Sequence, residues 1–345
     1  MFGRLMNNYY YGKSGKGDFR KEDMPETRMQ LFWDTLRTRL SALCRLNLLY
    51  MLIFLPTMVV LMMGVYNIVS NTSLVLAAQD GALQEYVNQT RQQTGEESDA
   101  IIITAETEQE IAATDLRGLL DSVLFSTLLW LMPCLAITGP FTAGLSYVTR
   151  NWARDEHAFI WSDFKDAVKA NWRRALLLSV ITSVLPLAVY VGWTFYGRMA
   201  GTQALMIVPQ VLVVLVAVIW SLSITYMHPM NVTYELKMGG LMRNGLLLGV
   251  ARLPMSVGIR LLHCVPALIL FAAVWFLGLD VMIGCLILAA YYCIIGFSLS
   301  RFITASYTNA VFDRYINSRI EGAKVNQGLR EEDDDDEDEE PTAEN

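Results

Sequence analysis

Charge is missing from six long stretches of this sequence. Leu46–Tyr66, Ser122–Thr149, Ala175–Gly197, Met199–Met227, Leu261–Leu279 and Val281–Ser300 contain no Asp, Glu, Lys or Arg. Each reaches, or comes within a residue of, the ~20 apolar residues that a helix needs to cross the hydrocarbon core of a bilayer. With 53% hydrophobic and only 18% charged residues, the composition argues against a water-soluble fold. Histidine is also scarce. His157, His228 and His263 are the only three, and none stands in an HExxH or Ser/His/Asp arrangement. The five cysteines, Cys44, Cys134, Cys264, Cys285 and Cys293, include no CxxC pair and no Cys/His cluster with zinc-ligand spacing. None lies in the long loop after the first stretch, so no disulfide framework is implied. Gly12-Lys-Ser-Gly-Lys-Gly17 lacks the spacing of a phosphate loop and follows no strand. These absences point away from an enzyme, a metal or a cofactor.

What is present specifies an all-α polytopic membrane bundle with six transmembrane helices and cytoplasmic amphipathic helices. The spans are expected at about 46–66, 122–149, 175–197, 203–227, 259–279 and 281–300, within a membrane domain at 46–316. A basic segment, 1–45, precedes it. That segment is polar and has no apolar core of a signal peptide, so the first span is expected to direct its own insertion. Lys and Arg give the orientation, because they concentrate in cytoplasmic loops. Segments 1–45, 149–174, 228–260 and 300–330 hold 9, 6, 4 and 5 of them, leaving only Arg91, Arg117 and Arg198 on the opposite side. Both termini are therefore expected in the cytoplasm. Lys13, Lys16, Arg20 and Lys21 are read as meeting anionic lipid headgroups rather than nucleotide or nucleic acid.

The outer loop, 70–118, carries two basic residues against nine acids. Within it Ala100–Thr104 reads as a short strand and Glu106–Leu120 as helix-forming. At the other end, Glu331–Glu340 is an unbroken run of ten acids, and with Glu344 it turns a body of +4 into a net charge of −7. Such a tail, 317–345, has too little apolar surface to fold by itself.

Two segments invite a functional reading. In the second span Pro133 and Pro140 each remove a helical hydrogen bond, and Thr138, Gly139, Thr142 and Gly144 supply small or hydroxyl groups that can re-satisfy freed carbonyls. A broken or kinked helix is expected there, setting packing or lining a solute path. After it, Ile160, Phe164, Val168 and Trp172 recur at i+4, a stripe expected to lie in the cytoplasmic interface, with Trp161 and Trp172 at headgroup depth. Arg260 and His263 are read as membrane-edge residues, Arg260 free to snorkel and His263 the one titratable side chain at depth. No other charge is expected inside a span.

The pattern Pro133…Thr138-Gly139-Pro140…Ala143-Gly144-Leu145…Tyr147-Val148, followed by Trp161-Ser-Asp-Phe164 and Asn171-Trp172, resembles the YesL-like family of bacterial membrane proteins of unknown function. Gly3-Arg4, Tyr9-Tyr10-Tyr11-Gly12-Lys13 and Asn47-Leu48-Leu49 are similar to its members too. The acidic outer loop and the acidic tail depart from that pattern. The resemblance implies a multi-pass protein of a bacterial cytoplasmic membrane, in a context of carbohydrate uptake. The expected role is non-enzymatic: an accessory or regulatory partner of a membrane transport system, with a facilitator for a neutral or amphiphilic solute as the alternative.

Overall fold

The computed structural model describes residues 24–94 and 102–330, which contain helices and no strand. In chain order these are α1 (Arg28–Gln79), α2 (Leu83–Thr94), α3 (Ala105–Ala112), α4 (Leu116–Trp152), α5 (Ser162–Ala200), α6 (Ile207–Thr233), α7 (Met238–Ala251), α8 (Leu253–Leu277), α9 (Val281–Tyr291) and α10 (Phe297–Tyr315). A π-helical turn, Tyr292–Gly296, joins α9 to α10 without a gap. Six helical rods are long and apolar enough to cross a membrane: α1, α4, α5, α6 with the turn before it, α8, and α9 continued through α10. The all-α membrane bundle is thus the fold.

Local chemistry sets the helix ends. Thr27 caps α1 in a reciprocal box, its hydroxyl accepting from the Gln30 amide at 3.3 Å while Gln30 Oε1 accepts from the Thr27 amide at 3.2 Å. Asp280 caps α9 by accepting from the Ile283 amide at 3.0 Å. Gly278 closes α8 at φ 66°, a left-handed turn that glycine adopts without a Cβ clash.

The bundle has two unlike halves. At the end where residues 24 and 330 meet, here the terminal end, α1 begins 18 residues before Leu46, ~27 Å of helix beyond the charge-free stretch. Helices in this half pack as in a soluble core. Leu43, Leu46, Leu145, Val148, Trp152 and Phe302 form one buried cluster, and Leu178, Tyr226, Met227, Met230, Leu241 and Phe312 another. In the opposite half the helices bury little, and large apolar side chains face outward along α6, α8 and α9, as lipid-facing surfaces do. Close approach in the packed half depends on small residues. A Cβ on Gly139 would stand 2.5 Å from the Ala175 carbonyl oxygen of α5, and one on Gly245 or Gly249 of α7 would run into Met227 or Ser223 of α6.

The π turn is satisfied from outside its own helix. Asn47 of α1, fully buried, donates its amide to the Tyr292 and Cys293 carbonyls at 2.8 Å each and accepts from the Ser298 amide at 3.0 Å. A strap of chain after α10 then crosses the terminal end. Arg28 donates to Asn326 at 2.6 Å, Arg154 to Gln327 at 2.6 Å, and the Arg330 amide to the Pro25 carbonyl at 3.0 Å.

Several expectations are corrected. Of the broken or kinked helix expected in the second span, the break is absent: α4 is helical through both Pro133 and Pro140. The stripe Ile160, Phe164, Val168, Trp172 begins outside a helix, at Ile160; the helix starts at Ser162 and leads directly into the third span as α5. Its inner members instead meet α4, where Gly144 leaves room for Phe164 and Val168; Trp161 and Trp172 stay exposed. Residues 102–103 are not in a strand and Thr104 is the N-cap of α3, while Ala100 and Ile101 lie outside the described residues. The helix expected over Glu106–Leu120 is interrupted at 113–115. The Gly12–Gly17 segment and the acidic run Glu331–Glu340 also fall outside the described residues.

Candidate functional site: a cationic seam between three helices

Three helices carry the same polar spacing. Ser221, Thr225 and His228 on α6, Ser256, Arg260 and His263 on α8, and Ser300, Thr304 and Tyr307 on α10 each recur at i, i+4 and i+7, which places each trio on one helix face. The three stripes meet. Tyr226 Oη hydrogen-bonds Ser256 Oγ at 2.7 Å and Tyr307 Oη at 2.8 Å. Arg260 donates to the Ser221 carbonyl. His263 Nε2 donates to the Ser300 carbonyl at 3.1 Å, an oxygen that also accepts from Thr304 Oγ at 2.8 Å.

The seam holds positive charge without negative charge beside it. His228 and His263 each lie within electrostatic reach of both Arg260 and Arg301. Among the described residues the ion pairs are Arg28–Asp313, Arg154–Glu156 and Arg330–Glu26, so no carboxylate neutralises either seam arginine. Several polar atoms here are also unpartnered. His228 is 5% exposed, and its Nδ1, Thr225 Oγ1 and Arg260 Nε are buried without a hydrogen-bond partner. Arg260, Arg301 and His263 are half-buried, and cations drawn from water without a counter-charge, beside orphan polar atoms, are costly, which marks the seam as more than packing. Chemically it offers two guanidinium forks and two imidazoles, a set suited to holding an oxyanion.

The level of the seam is fixed by its neighbours. The charge-free stretch of α1 begins at Leu46 and that of α8 at Leu261, and that of the last rod ends at Ser300. Asn47 bonds Ser298 directly. Arg260 and Arg301 therefore sit where the apolar half of the bundle meets its packed terminal half.

Of the sequence-derived candidates, Arg260 and His263 belong to the seam. Arg301 does too, and it was missed because the sixth charge-free stretch stops one residue short of it. The signal that could have found it is the shared i, i+4, i+7 polar spacing on three segments. The α4 residues serve elsewhere. Thr138 Oγ donates to the Leu135 carbonyl at 2.7 Å, and Thr142 Oγ donates to the Thr138 carbonyl at 3.0 Å while bonding Tyr50 Oη at 2.8 Å. These contacts, with Gly139 and Gly144, seat α4 against α1 and α5 rather than around an opening. Pro133 lies one turn before them in the same helix.

A polar concavity opens at the terminal end. It encloses about 530 Å³ between α4, α5 and the end of α6, lined among others by Tyr147, Asp163, Asn171, Arg174, Asn231 and Glu235. Asn231 is 1% exposed and both ends of its amide lack a partner. On its rim burial pushes the Tyr234 phenol up to about 12, against the pull of the Arg150 guanidinium. Among the described residues no three His, Cys, Asp or Glu side chains converge as a metal site would require.

No curated protein and no solved structure matches the chain. Residues 123–193, which run from within α4 to within α5, match the family described as protein of unknown function, DUF624, so the helix pair seated on Gly139 and Gly144 is the part of this chain that is similar to that uncharacterised family.

Proposed function

We propose that the chain is a non-enzymatic, multi-pass protein of a bacterial cytoplasmic membrane, with both termini in the cytoplasm, that acts as an accessory or regulatory partner of a membrane transport system. Carbohydrate uptake is the context that the YesL-like resemblance suggests. The observation that carries the reading is the isolation of the α8–α9 hairpin. In α8 only Ser256 is buried, and in α9 only Gly284. Trp275 is 74% and Phe276 80% exposed at the hairpin tip. Spans associate through close side-chain packing rather than a hydrophobic drive, so a hairpin that packs so little on its own chain is well placed to pack on another.

The alternative, a facilitator for a neutral or amphiphilic solute along Pro133–Gly144, has less support. Small residues in that segment are in contact with α5 at Ala175, Ser179, Phe164 and Val168, which is a packing role. Purification in mild detergent from the native host, followed by mass spectrometry, tests the choice. A stoichiometric transport subunit that is lost when Phe271, Trp275 and Phe276 are replaced by alanine supports the partner reading. A homogeneous lone protein sinks it.

A further inference from the structure

The partner reading does not use the cationic seam. We infer that Arg260 and Arg301, with His228 and His263, hold the phosphate of an anionic lipid or lipid-like amphiphile between α6, α8 and α10.

Three observations carry this. The first is charge: Arg260 reaches the Ser221 carbonyl of α6, His263 reaches the Ser300 carbonyl next to Arg301 on α10, both histidines lie within electrostatic reach of both arginines, and no described carboxylate pairs with either arginine. Arginine presents a planar fork that matches phosphate oxygens, so two of them can grip one phosphate from two sides. The second is unmet hydrogen bonding. His228 Nδ1, Thr225 Oγ1 and Arg260 Nε are buried with no partner, and a phosphate with several acceptor oxygens would satisfy the arginine N–H and the hydroxyl at once.

The third is level. The charge-free stretch of α1 begins at Leu46, and Asn47 bonds Ser298, three residues before Arg301, which puts the seam near the edge of the apolar zone, within reach of lipid phosphates. Immediately beyond it on α8, Leu261, Leu262 and Val265 are exposed apolar side chains. A headgroup in the seam thus leaves acyl chains beside apolar surface. A soluble phosphate would gain the same oxyanion contacts but nothing from those leucines. Snorkelling by a single arginine does not account for the arrangement, since a snorkelling side chain extends towards water, whereas Arg260 turns to the Ser221 carbonyl between helices.

The experiment uses the full chain purified in a neutral detergent. Dioctanoyl phosphatidic acid, dioctanoyl phosphatidylcholine and inorganic phosphate are titrated against it, with binding read by native mass spectrometry and by the shift of thermal unfolding. Phosphatidic acid should bind saturably, at least tenfold tighter than phosphatidylcholine. Arg260→Gln and Arg301→Gln should each weaken it at least tenfold, while Arg243→Gln, on the exposed side of α7, should leave it unchanged. If the glutamine variants fail to fold, Arg260→Lys and Arg301→Lys keep the charge and lose the fork, and should bind several-fold more weakly at unchanged melting temperature. Inorganic phosphate binding as tightly, with the same arginine dependence, would keep the oxyanion site but overturn its assignment to a lipid. Equal binding of the two lipids, no binding of either phosphate probe, an equal loss in Arg243→Gln, or wild-type binding by folded lysine variants would each overturn the inference.

Discussion

Arg28, in the first turn of the first span, donates to Asp313, near the end of the last, across 2.8 Å and 285 positions of sequence. Asp313 is buried and accepts twice more, from Asn317 Nδ2 at 2.6 Å and from the Asn326 amide at 3.2 Å. One carboxylate thus ties the first helix, the last helix and the strap together. Asp313→Ala should cost about 2–4 kcal/mol, because it removes the acceptor of an amide and a backbone N–H and leaves the Arg28 guanidinium only its bond to Asn326. Arg28→Ala should cost less, since Arg28 is partly exposed and its loss orphans a smaller set of groups. Tryptophan fluorescence melts in detergent measure the first effect, and early proteolytic cutting within 320–330 should accompany it.

At Gly139 the neighbours include backbone. A Cβ there meets the Ala175 carbonyl oxygen as well as the Ser179 side chain, whereas a Cβ on Gly144 meets only the side chains of Phe164 and Val168, which can turn aside. Gly139→Ala should therefore destabilise by about 1–3 kcal/mol and Gly144→Ala by less. Thr138→Val removes one hydroxyl bond to Leu135 and should cost about 1 kcal/mol. If Gly139→Ala melts like the wild type, α4 and α5 do not approach as described.

Alkaline stability should report on Tyr234. Its phenol donates to Asn317 Oδ1 at 2.6 Å, and its pKa is raised from 10 to about 12. The native state keeps the proton that the unfolded chain gives up first. The contribution of this group is therefore complete below pH 10 and falls away as the pH rises through the window to about 12. Tyr234→Phe should lose about 1 kcal/mol near neutrality, from the missing hydrogen bond, and should flatten the decline between those limits. Phenolate absorbance against pH checks the titration directly.

Orientation is open to chemical labelling. In a cysteine-free background, single cysteines at Gln92 and Glu321, both exposed, should react from opposite faces of the membrane. An impermeant maleimide should reach Gln92→Cys in intact cells, and Glu321→Cys only after lysis. Labelling of both in intact cells would refute cytoplasmic termini.

The six spans were legible because membrane insertion punishes charge, and its absence leaves a mark that needs no knowledge of neighbours. Packing partners left no such mark. The i+4 stripe from Ile160 to Trp172 is a correct sign of an apolar face, but periodicity does not say whether lipid or Gly144 covers it. Pro133 and Pro140 read as a break or kink because each deletes a hydrogen bond, yet the helix runs on through both. Met238–Ala251 sits in a loop by charge counting, and its pairing to α6 depends on Gly245 and Gly249 meeting Met227 and Ser223. Arg301 was hidden by a rule that ends a span at the first charge, when the helix itself runs on to Tyr315.

The π turn at Tyr292–Gly296 has a consequence for inheritance. One surplus residue in a helical turn rotates everything beyond it by roughly 100°. Asn47 holds that surplus in place by accepting and donating across the turn. A one-codon deletion here would restore regular winding yet swing Ser300, Arg301 and Thr304 away from His263 and His228 by about a quarter of a circle. Length in this stretch is therefore a more constrained trait than composition: a lineage can exchange Ile294 for another apolar residue, which is exposed, but cannot shed it.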